Sequence, residues 1–285
     1  MIKTWLRNGG RVAWVAVLAL GLAQSADAGT VPVYANDQST GDMWTGSFFN
    51  PTEPIGASGW RYVDATTGLG GFGANGGAVG INGNLPHDGN GSVYFSGASS
   101  NSKAGIAFRP GGVIGLLSEL TTLSYDYIRT GGGAAAHFAP AIKLEVTANG
   151  KSGSLVWEPV YNGYSTNDPI DLDTWYHGNA IGGTFWATNA LFANGVNTFK
   201  SLDDWVATLG PASKITGIYV GIGSGWGGSF SGAADNIAFG FNGDSTTYNF
   251  NLSPAAVPEP GSIAMGLIAG GLGLGAAAWR RRRVA

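Results

Sequence analysis

Two glutamates are the residues of this chain best suited to acid–base chemistry. Hydrolysis of a glycosidic bond needs two carboxyl groups, held either about 5 Å or about 6.5 to 9.5 Å apart. Glu158 follows Trp157 at the end of a strand-like run, and an apolar neighbour raises the pKa of a carboxyl group toward that of a general acid. Glu145 is the second candidate. Alternatively, Glu158 accepts hydrogen bonds from loop backbone before Pro159, and we assign no residue as catalytic.

The histidines and serines show no catalytic or metal-binding spacing. His87, His137 and His177 lie in unrelated turn-like contexts, without a His-x-x-x-His pair or a Glu-flanked zinc motif. The serine of Gly223-Ser224-Gly225 lacks the strand and helix that frame a nucleophile elbow. We therefore expect surface or structural histidines, although roles that depend on proximity in space stay open.

Aromatic residues in loops are candidates for a sugar-binding surface. A flat ring covers the apolar face of a sugar, while Asn, Asp and backbone groups bond its hydroxyls. Trp226, between Gly225 and Gly227, is the first candidate for an exposed platform. Trp186 and Tyr164 are the next candidates, and packing in the core is the alternative for a Trp.

Composition restricts the partners and the fold. The chain has 285 residues, 49 of them Gly, and only 12% are charged, which favours strands and turns over solvated helices. Residues 29 to 252 hold eight Lys and Arg against 16 Asp and Glu, a net charge of −8 that would repel nucleic acid. No Cys is present, so no disulfide supports the fold.

Short β-like runs separated by Gly, Asn, Asp and Ser clusters predict a sandwich or barrel. Asn149-Gly150 and Asn242-Gly243-Asp244 are the turn signals between successive strands. One helix is expected, with Ser201 and Asp204 as a capping box and Gly210-Pro211 as its stop. The expected strands are Gly59–Val63, Ser92–Phe95, Ala104–Phe108, Thr121–Ile128, Ala141–Thr147, Ser154–Trp157, Thr184–Trp186, Ile215–Ile222, Asp235–Phe241 and Thr246–Leu252.

The N-terminus is typical of a secretory signal peptide. A basic stretch is followed by an apolar run from Val12 to Leu22 and by the small residues Ala26-Asp27-Ala28. Cleavage between Ala28 and Gly29 is predicted, and a retained membrane anchor is the alternative. Export by this signal would place residues 29 to 257 on the outer side of the membrane.

The C-terminus combines a proline-flanked glutamate, an apolar span and a basic end. Pro258-Glu259-Pro260 holds the chain extended, and residues 262–279 are uncharged and just long enough to cross a membrane. Positive charges stay in the cytoplasm, which fixes the direction of the span. Those charges are Arg280, Arg281, Arg282 and Arg283.

This order of features resembles the PEP-CTERM sorting region. The resemblance covers about a tenth of the chain and implies recognition by an exosortase, a membrane-embedded cysteine protease, with cleavage at or near Pro258-Glu259-Pro260. The alternative is a plain C-terminal anchor on a proline-rich stalk.

Several Gly-rich and aromatic stretches recur between residues 92 and 252. They are Gly91-Ser92-Val93-Tyr94-Phe95, Leu123-Ser124-Tyr125-Asp126, residues 155–161, the helix around Trp205, Gly223-Ser224-Gly225-Trp226 and Ala234-Asp235-Asn236-Ile237. On these residues the region resembles a secreted jelly-roll module related to lectin-like and carbohydrate-binding sandwiches. In such modules an Asp near the final strands often binds a structural calcium, and Asp235 matches that position. The alternative for Asp235 is a hydrogen bond to local backbone at the start of a strand.

These observations predict an all-β chain: an antiparallel jelly-roll β-sandwich with one short helix, preceded by a signal peptide and followed by a transmembrane sorting helix. The segments are a signal peptide (1–28), the sandwich (29–252), a linker with the Pro-Glu-Pro motif (253–261), the transmembrane helix (262–279) and an Arg-rich cytoplasmic tail (280–285). We expect a non-enzymatic surface or matrix protein, anchored transiently in the inner membrane, that binds extracellular polysaccharide or surface proteins. A secreted glycan hydrolase and a purely structural surface protein are the alternatives.

Overall fold

A computed structural model of the chain describes residues 29–45, 52–63, 77–188, 191, 198–223 and 226–254. The predicted signal peptide, the Pro258-Glu259-Pro260 motif, the apolar span 262–279 and Arg280 to Arg283 lie outside the described residues. Within the described ranges, no helix is both long enough and apolar enough to cross a membrane.

The described body consists of fifteen strands, one α-helix and two short 3₁₀ turns. In chain order the elements are β1 Gly29–Tyr34, β2 Thr52–Pro54, β3 Trp60–Val63, β4 Gly77–Asn82, β5 Ser92–Gly97, β6 Ala104–Phe108, β7 Gly115–Leu116, β8 Leu120–Gly131, β9 Ala141–Ala148, β10 Lys151–Trp157, β11 Trp175–Asn179, β12 Trp186–Ala187, α1 Leu202–Leu209, β13 Lys214–Ile222, β14 Phe230–Phe241 and β15 Thr246–Asn251. The 3₁₀ turns cover Leu117–Glu119 and Pro159–Tyr161.

The strands form two sheets. The first sheet has the order β1-β15-β14-β5-β4, and β8 joins the other edge of β14 and carries β11 in turn. The second sheet has the order β12-β10-β9-β13-β6-β3-β2, with β7 paired to β13. Pairing is antiparallel except between β1 and β15, which run parallel with Gly29 opposite Thr246. The all-β sandwich expected from the sequence is confirmed.

An aromatic and aliphatic core fills the space between the sheets. On β9, Ile142, Leu144 and Val146 are buried while Lys143 and Glu145 are half-buried, as the alternating pattern predicts. The largest side chains that are less than 2% exposed include Trp60, Trp205, Tyr62, Tyr125, Tyr127 and Phe95. With no disulfide available, this burial of aromatic surface is the main source of stability.

The turn and the helix cap that the sequence predicts are both present in the structure. Asn149 and Gly150 both have positive φ (51° and 74°), and they turn β9 into β10. Ser201 caps α1 by accepting a hydrogen bond from the Asp204 N–H at 3.2 Å. The helix packs into the core through Trp205, whose Nε1–H donates to the Phe185 carbonyl at 2.9 Å.

Two strands, β5 and β15, share one edge of β14, and the fork between them determines where polar side chains meet. One edge of β14 pairs with β8 along its whole length. The other edge pairs with β5 through Phe230–Ala234 and with β15 through Ile237–Phe239. Asp235 and Asn236 occupy the fork between β5 and β15, where the register with β8 shifts and Asn236 adopts φ 46°.

Several strand predictions need correction. All ten expected runs overlap observed strands, but Thr184–Trp186 shares only Trp186 with β12, and β14 begins at Phe230 rather than Asp235. The strands β1, β2, β4, β7 and β11 were not expected. Four of them, β1, β2, β4 and β11, lie at the ends of the sheets. Most residues of β1 and β11 are exposed or half-buried, so these strands lack a continuous apolar pattern, whereas β4 is largely buried but its apolar run is interrupted by Gly80.

Candidate functional site

Trp226 lies in the core, so the expectation of an exposed platform at this position is wrong. Its side chain is only 5% exposed. The indole stacks on Phe138 at a centroid distance of 5.4 Å and contacts the edge of Phe230 at 5.0 Å. The flanking glycines suggested an open loop, but Phe138, which is distant in sequence, and Phe230, which is four residues away, pack on the indole.

Exposed aromatic rings instead meet at the end of the second sheet. Tyr161 and Phe199 are 50% and 42% exposed, and their ring centroids lie 4.5 Å apart. The two residues come from separate segments, the 3₁₀ turn after β10 and the segment before α1. Neither residue was among the predicted ligand residues, although Tyr161 ends the stretch 155–161 that carries the jelly-roll resemblance.

Glu158 and Trp186 stand beside this aromatic pair. The Trp186 Nε1–H donates to Glu158 Oε2 at 2.8 Å, and Trp186 lies opposite Val156 on the outward face of the second sheet. Burial of the Tyr161 hydroxyl raises its pKa, and the nearby Glu158 carboxylate raises that pKa further. We call Glu158, Tyr161, Trp186 and Phe199 the aromatic rim.

Backbone contacts hold the segments of the rim in place. Asn162 Nδ2 donates to the carbonyls of Glu158 (2.9 Å) and Thr184 (3.1 Å), and Asn162 Oδ1 accepts from the Thr184 N–H (2.8 Å). Phe185 and Lys200 exchange two backbone hydrogen bonds of 2.8 and 3.0 Å. The rim is therefore presented by cross-linked loops, which lowers the entropy cost of ordering it on a ligand.

Tyr164 is half-buried and packs against the core rather than facing outward. Its ring meets Tyr176 edge to face at 5.7 Å, and its backbone N–H donates to the Pro159 carbonyl at 3.2 Å. Tyr164 thus supports the turn that carries Tyr161.

The two glutamates considered for hydrolysis are not brought together. The carboxylate of Glu145 is held by Arg109, whose Nε–H donates to Glu145 Oε2 at 2.8 Å and whose Nη2 contacts Oε1. Glu145 lies opposite Ser154. Glu158 is four residues farther along the chain, or about 13 Å at the rise of a strand. The backbones of the two glutamates are thus well separated, and their carboxylates are bound by different partners, Arg109 for Glu145 and Trp186 for Glu158.

A second cluster of polar side chains lies on the outward face of the first sheet. Asp235 on β14 is opposite Asp126 on β8, and Asp126 is opposite His177 on β11. Asp126 Oδ1 is 2.7 Å from His177 Nδ1, and Asp126 Oδ2 is 2.9 Å from His87 Nε2. Two histidines that seemed unrelated in sequence therefore share one carboxylate.

The loop 83–91 between β4 and β5 lies over the aligned residues Asp235, Asp126 and His177. The His87 ring stacks on Trp175 with a centroid distance of 4.1 Å and an interplanar angle of 18°. Asn249 Nδ2 donates to the Asp88 carbonyl at 2.8 Å, and Asn90 Oδ1 accepts from the Leu252 N–H at 3.0 Å. The loop thus ties the sheet to the chain end that precedes the sorting segment.

Asp235 and Asp126 have opposite electrostatic environments. The pKa of Asp235 is raised to about 8, chiefly by burial and also by the Asp126 and Asp88 carboxylates, which together outweigh two backbone hydrogen bonds that lower it. Partial burial also raises the pKa of Asp126, but hydrogen bonds from Asn236, His177 and His87 outweigh burial and leave that pKa below its ordinary value. Asp126 is thus the ionised member of the pair at neutral pH.

Asp235 bonds local backbone, which was the alternative to calcium binding at this position. Its Oδ1 accepts from the N–H groups of Asn236 (2.7 Å) and Phe250 (2.8 Å). The carboxylate thereby joins β14 to β15 at the fork. Its other oxygen, Oδ2, is buried without a hydrogen-bond partner among the described residues.

Comparisons with known proteins identify the C-terminal segment. Residues 256–283 match the family described as the PEP-CTERM protein-sorting motif. The match includes Pro258-Glu259-Pro260 and the four arginines, so the predicted sorting region is confirmed. The motif is the recognition signal for exosortase processing, and it implies export with transient anchoring in the membrane before cleavage.

Two further comparisons concern the whole chain. No curated protein sequence matches it. Among solved structures it is similar to endoglucanase cel12A from Rhodothermus marinus, with 11% sequence identity and a TM-score of 0.34, over 73% of this chain and 99% of that one.

Proposed function

We propose that the exported body is a non-enzymatic binding module for extracellular polysaccharide and that the aromatic rim is its contact surface. The observation that carries this proposal is the exposed Tyr161–Phe199 pair beside the Trp186–Glu158 hydrogen bond. Large rings that could have been buried are kept at the surface by two cross-linked segments. Such an arrangement indicates a ligand with an apolar face.

The chemistry of the rim fits a sugar. Tyr161 and Phe199 offer ring faces for the C–H surface of a pyranose, while the Tyr161 hydroxyl and the Glu158 carboxylate offer hydrogen bonds to its hydroxyl groups. Because the Trp186 indole already orients the Glu158 carboxylate, this acceptor is positioned before a ligand arrives.

Charge narrows the ligand class further. The body carries a net charge of −8, so a neutral or weakly charged glycan approaches it more readily than a polyanion does. The two alternative functions, a glycan hydrolase and a purely structural protein, would give different results. A hydrolase would release new reducing ends from a bound glycan, and a purely structural protein would bind no glycan.

Glycan-array binding of the exported protein tests this proposal. We expect binding to one glycan class that is weakened in the Tyr161→Ala variant and in the Phe199→Ala variant. Binding should be unchanged in Val113→Ala, which shortens an exposed apolar side chain outside the rim. Hydrolysis of the bound glycan, abolished in Glu158→Gln, would favour the enzyme. Blank arrays would favour the structural role.

A further inference from the structure

The strand β11 leaves one of its edges open. In the described part of the chain it pairs with β8 and with no other strand. Just after β11, the Ala180 N–H donates to the Leu123 carbonyl of β8 at 2.8 Å. Peptide groups alternate in direction along a strand, so those of Trp175, His177 and Asn179 point away from β8. They form a row of backbone donors and acceptors that the described residues do not pair.

The other ends of the two sheets are protected, as sheet edges in native proteins usually are. Backbone hydrogen bonds of 2.7 and 2.9 Å between Trp44 and Val79 cover β4. The Ala35 N–H donates to β15 at 3.0 Å, so Pro32 of β1 faces the free edge, where it offers no N–H to an added strand. The strands β2 and β12 have only three and two residues. Within the described ranges, β11 is thus the longest edge without a cover or a proline.

The open edge of β11 is also accessible to a partner. The His177 side chain is 63% exposed, and Asn179 is exposed as well. Leu172, shortly before the strand, is 53% exposed although it is a large apolar residue. An open strand edge flanked by exposed side chains is a template on which another strand can pair.

We propose that β11 is a dimerisation strand, on which a second copy of this chain adds its own β11 in antiparallel orientation. The two-fold axis passes beside His177, so that this residue lies opposite itself and Trp175 lies opposite Asn179 of the second copy. The outward-facing residues of the two copies then exchange about six backbone hydrogen bonds. The first sheet becomes continuous across the dimer, through the same surface patch on both copies.

Self-pairing of β11 fits because large side chains meet small residues. In this register Tyr176, which stacks on Tyr127 at 5.8 Å, lies opposite Gly178 of the second copy. The exposed Leu172 comes toward Gly182 of the second copy, where a Cβ added to the glycine would meet no atom within 4 Å. Aromatic and apolar side chains pack well across strands against residues that leave them room. The match is a property of this sequence, and it favours a second copy over an unrelated strand.

The acidic residues near β11 do not oppose the pairing. Asp171 and Asp173 precede the strand, and antiparallel pairing places Asp173 opposite Ile181 of the second copy. The two Asp173 carboxylates are therefore more than about 20 Å apart, given the rise of a strand. That distance exceeds the Debye length of about 8 Å at physiological salt, so their repulsion is screened. The net charge of −8 on each body should weaken the dimer only at low salt.

The dimer is expected to be reversible. Five residues of each copy form the shared ladder, which is small for a protein interface, so the dissociation constant should be micromolar or weaker. A dimer carries two aromatic rims and could bind one polysaccharide chain at each. That consequence rests on the proposed function, whereas the dimer itself does not.

Sedimentation of the exported protein over a range of concentrations, without glycan, tests the proposal. We expect a reversible equilibrium between monomer and dimer. His177→Pro removes the outward N–H but no hydrogen bond to β8, and it should weaken dimerisation by about tenfold or more. His177→Ala keeps that N–H and should dimerise within about threefold of the unmodified protein. Both variants lose the contact with Asp126, so the difference between them isolates the edge N–H.

Cross-linking covers the case in which His177→Pro folds poorly. The chain has no Cys, so His177→Cys introduces a unique thiol. A short bismaleimide should link two copies of this variant and should leave Val31→Cys, on the exposed strand β1, monomeric. A single monomeric species at every concentration would overturn the proposal. Equal dimerisation of His177→Pro and His177→Ala, or equal cross-linking of the two Cys variants, would overturn it as well.

Discussion

Asp235 of β14 and Asp126 of β8 are directly opposite in register, yet their carboxyl groups have pKa values displaced in opposite directions. Asp126 receives hydrogen bonds from two histidines and an amide, whereas Asp235 receives two backbone N–H bonds and is fully buried. This difference makes one carboxyl group an ion and the other an acid near neutral pH, and it has consequences for stability.

The first prediction concerns the pH dependence of the free energy of unfolding. Between the ordinary pKa of 3.8 and about 8, the folded state holds one more proton at Asp235 than the unfolded state does. Stability should therefore fall as pH rises through this window, by about 1.4 kcal/mol per pH unit, and level off above pH 8. Urea unfolding from pH 5 to pH 9 measures the slope.

Asp235→Asn should remove this contribution because the amide does not titrate. Asp126, with its lowered pKa, contributes stability above its unfolded pKa that is lost only in more acidic solution, so it does not mask the effect. Parallel stability curves for the variant and the unmodified protein would contradict the assignment of the slope to Asp235.

A second prediction concerns Arg129, which is 3% exposed. Its guanidinium donates to the carbonyls of Ala134, Ala135 (2.7 Å) and Phe138 (3.0 Å), which holds the loop between β8 and β9. Arg129→Lys keeps the charge but loses the planar fork, so the free energy of unfolding should drop by about 2 kcal/mol. Arg61→Lys, at a half-buried position, should cost much less. Equal losses would exclude this role.

The third prediction separates stacking from hydrogen bonding at the rim. Removing both rings in Tyr161→Ala with Phe199→Ala should weaken glycan affinity by about tenfold to a hundredfold, since each stacked ring contributes about 1 kcal/mol or more. Glu158→Gln keeps an acceptor oxygen and should change affinity by about threefold at most. A larger effect of Glu158→Gln than of the double variant would contradict binding by stacking.

The fourth prediction concerns processing at the sorting motif. Exosortase cleavage should release a protein whose intact mass lacks the apolar span 262–279 and the four arginines. Replacing Pro258, Glu259 and Pro260 by alanines should leave the full tail on the protein and retain it in the inner membrane fraction. Release of this variant with the same mass as the unmodified protein would show that the motif is not what is recognised.

Sequence patterns identified the central strands because those strands are buried on one or both faces. The alternation in β9, the Asn149-Gly150 turn and the Ser201 cap are local signals, and each appears in the structure where it was expected. Edge strands such as β1 and β11 were missed because one of their sides faces solvent and their residues need not alternate.

The candidate sites were harder to predict because they depend on contacts between distant segments. His87, Asp126, His177 and Asp235 belong to four elements that only the sheet order brings together. Trp226 shows the reverse case, since its Gly-rich surroundings suggested exposure while Phe138 and Phe230 bury it. Trp186 is the predicted ligand residue that does lie on the outward face of a sheet, where its indole donates a hydrogen bond to the Glu158 carboxylate.

The position of β15 also has a mechanical consequence. This strand leads directly toward the sorting segment and is bonded on one edge to β1 and on the other to β14. A pull on the C-terminal end of the body therefore acts along the strand and must shear two hydrogen-bonded ladders at once, instead of peeling one ladder open a bond at a time. A body tethered at this end while it binds a fibrous partner would bear load through a strand that is hydrogen-bonded on both edges.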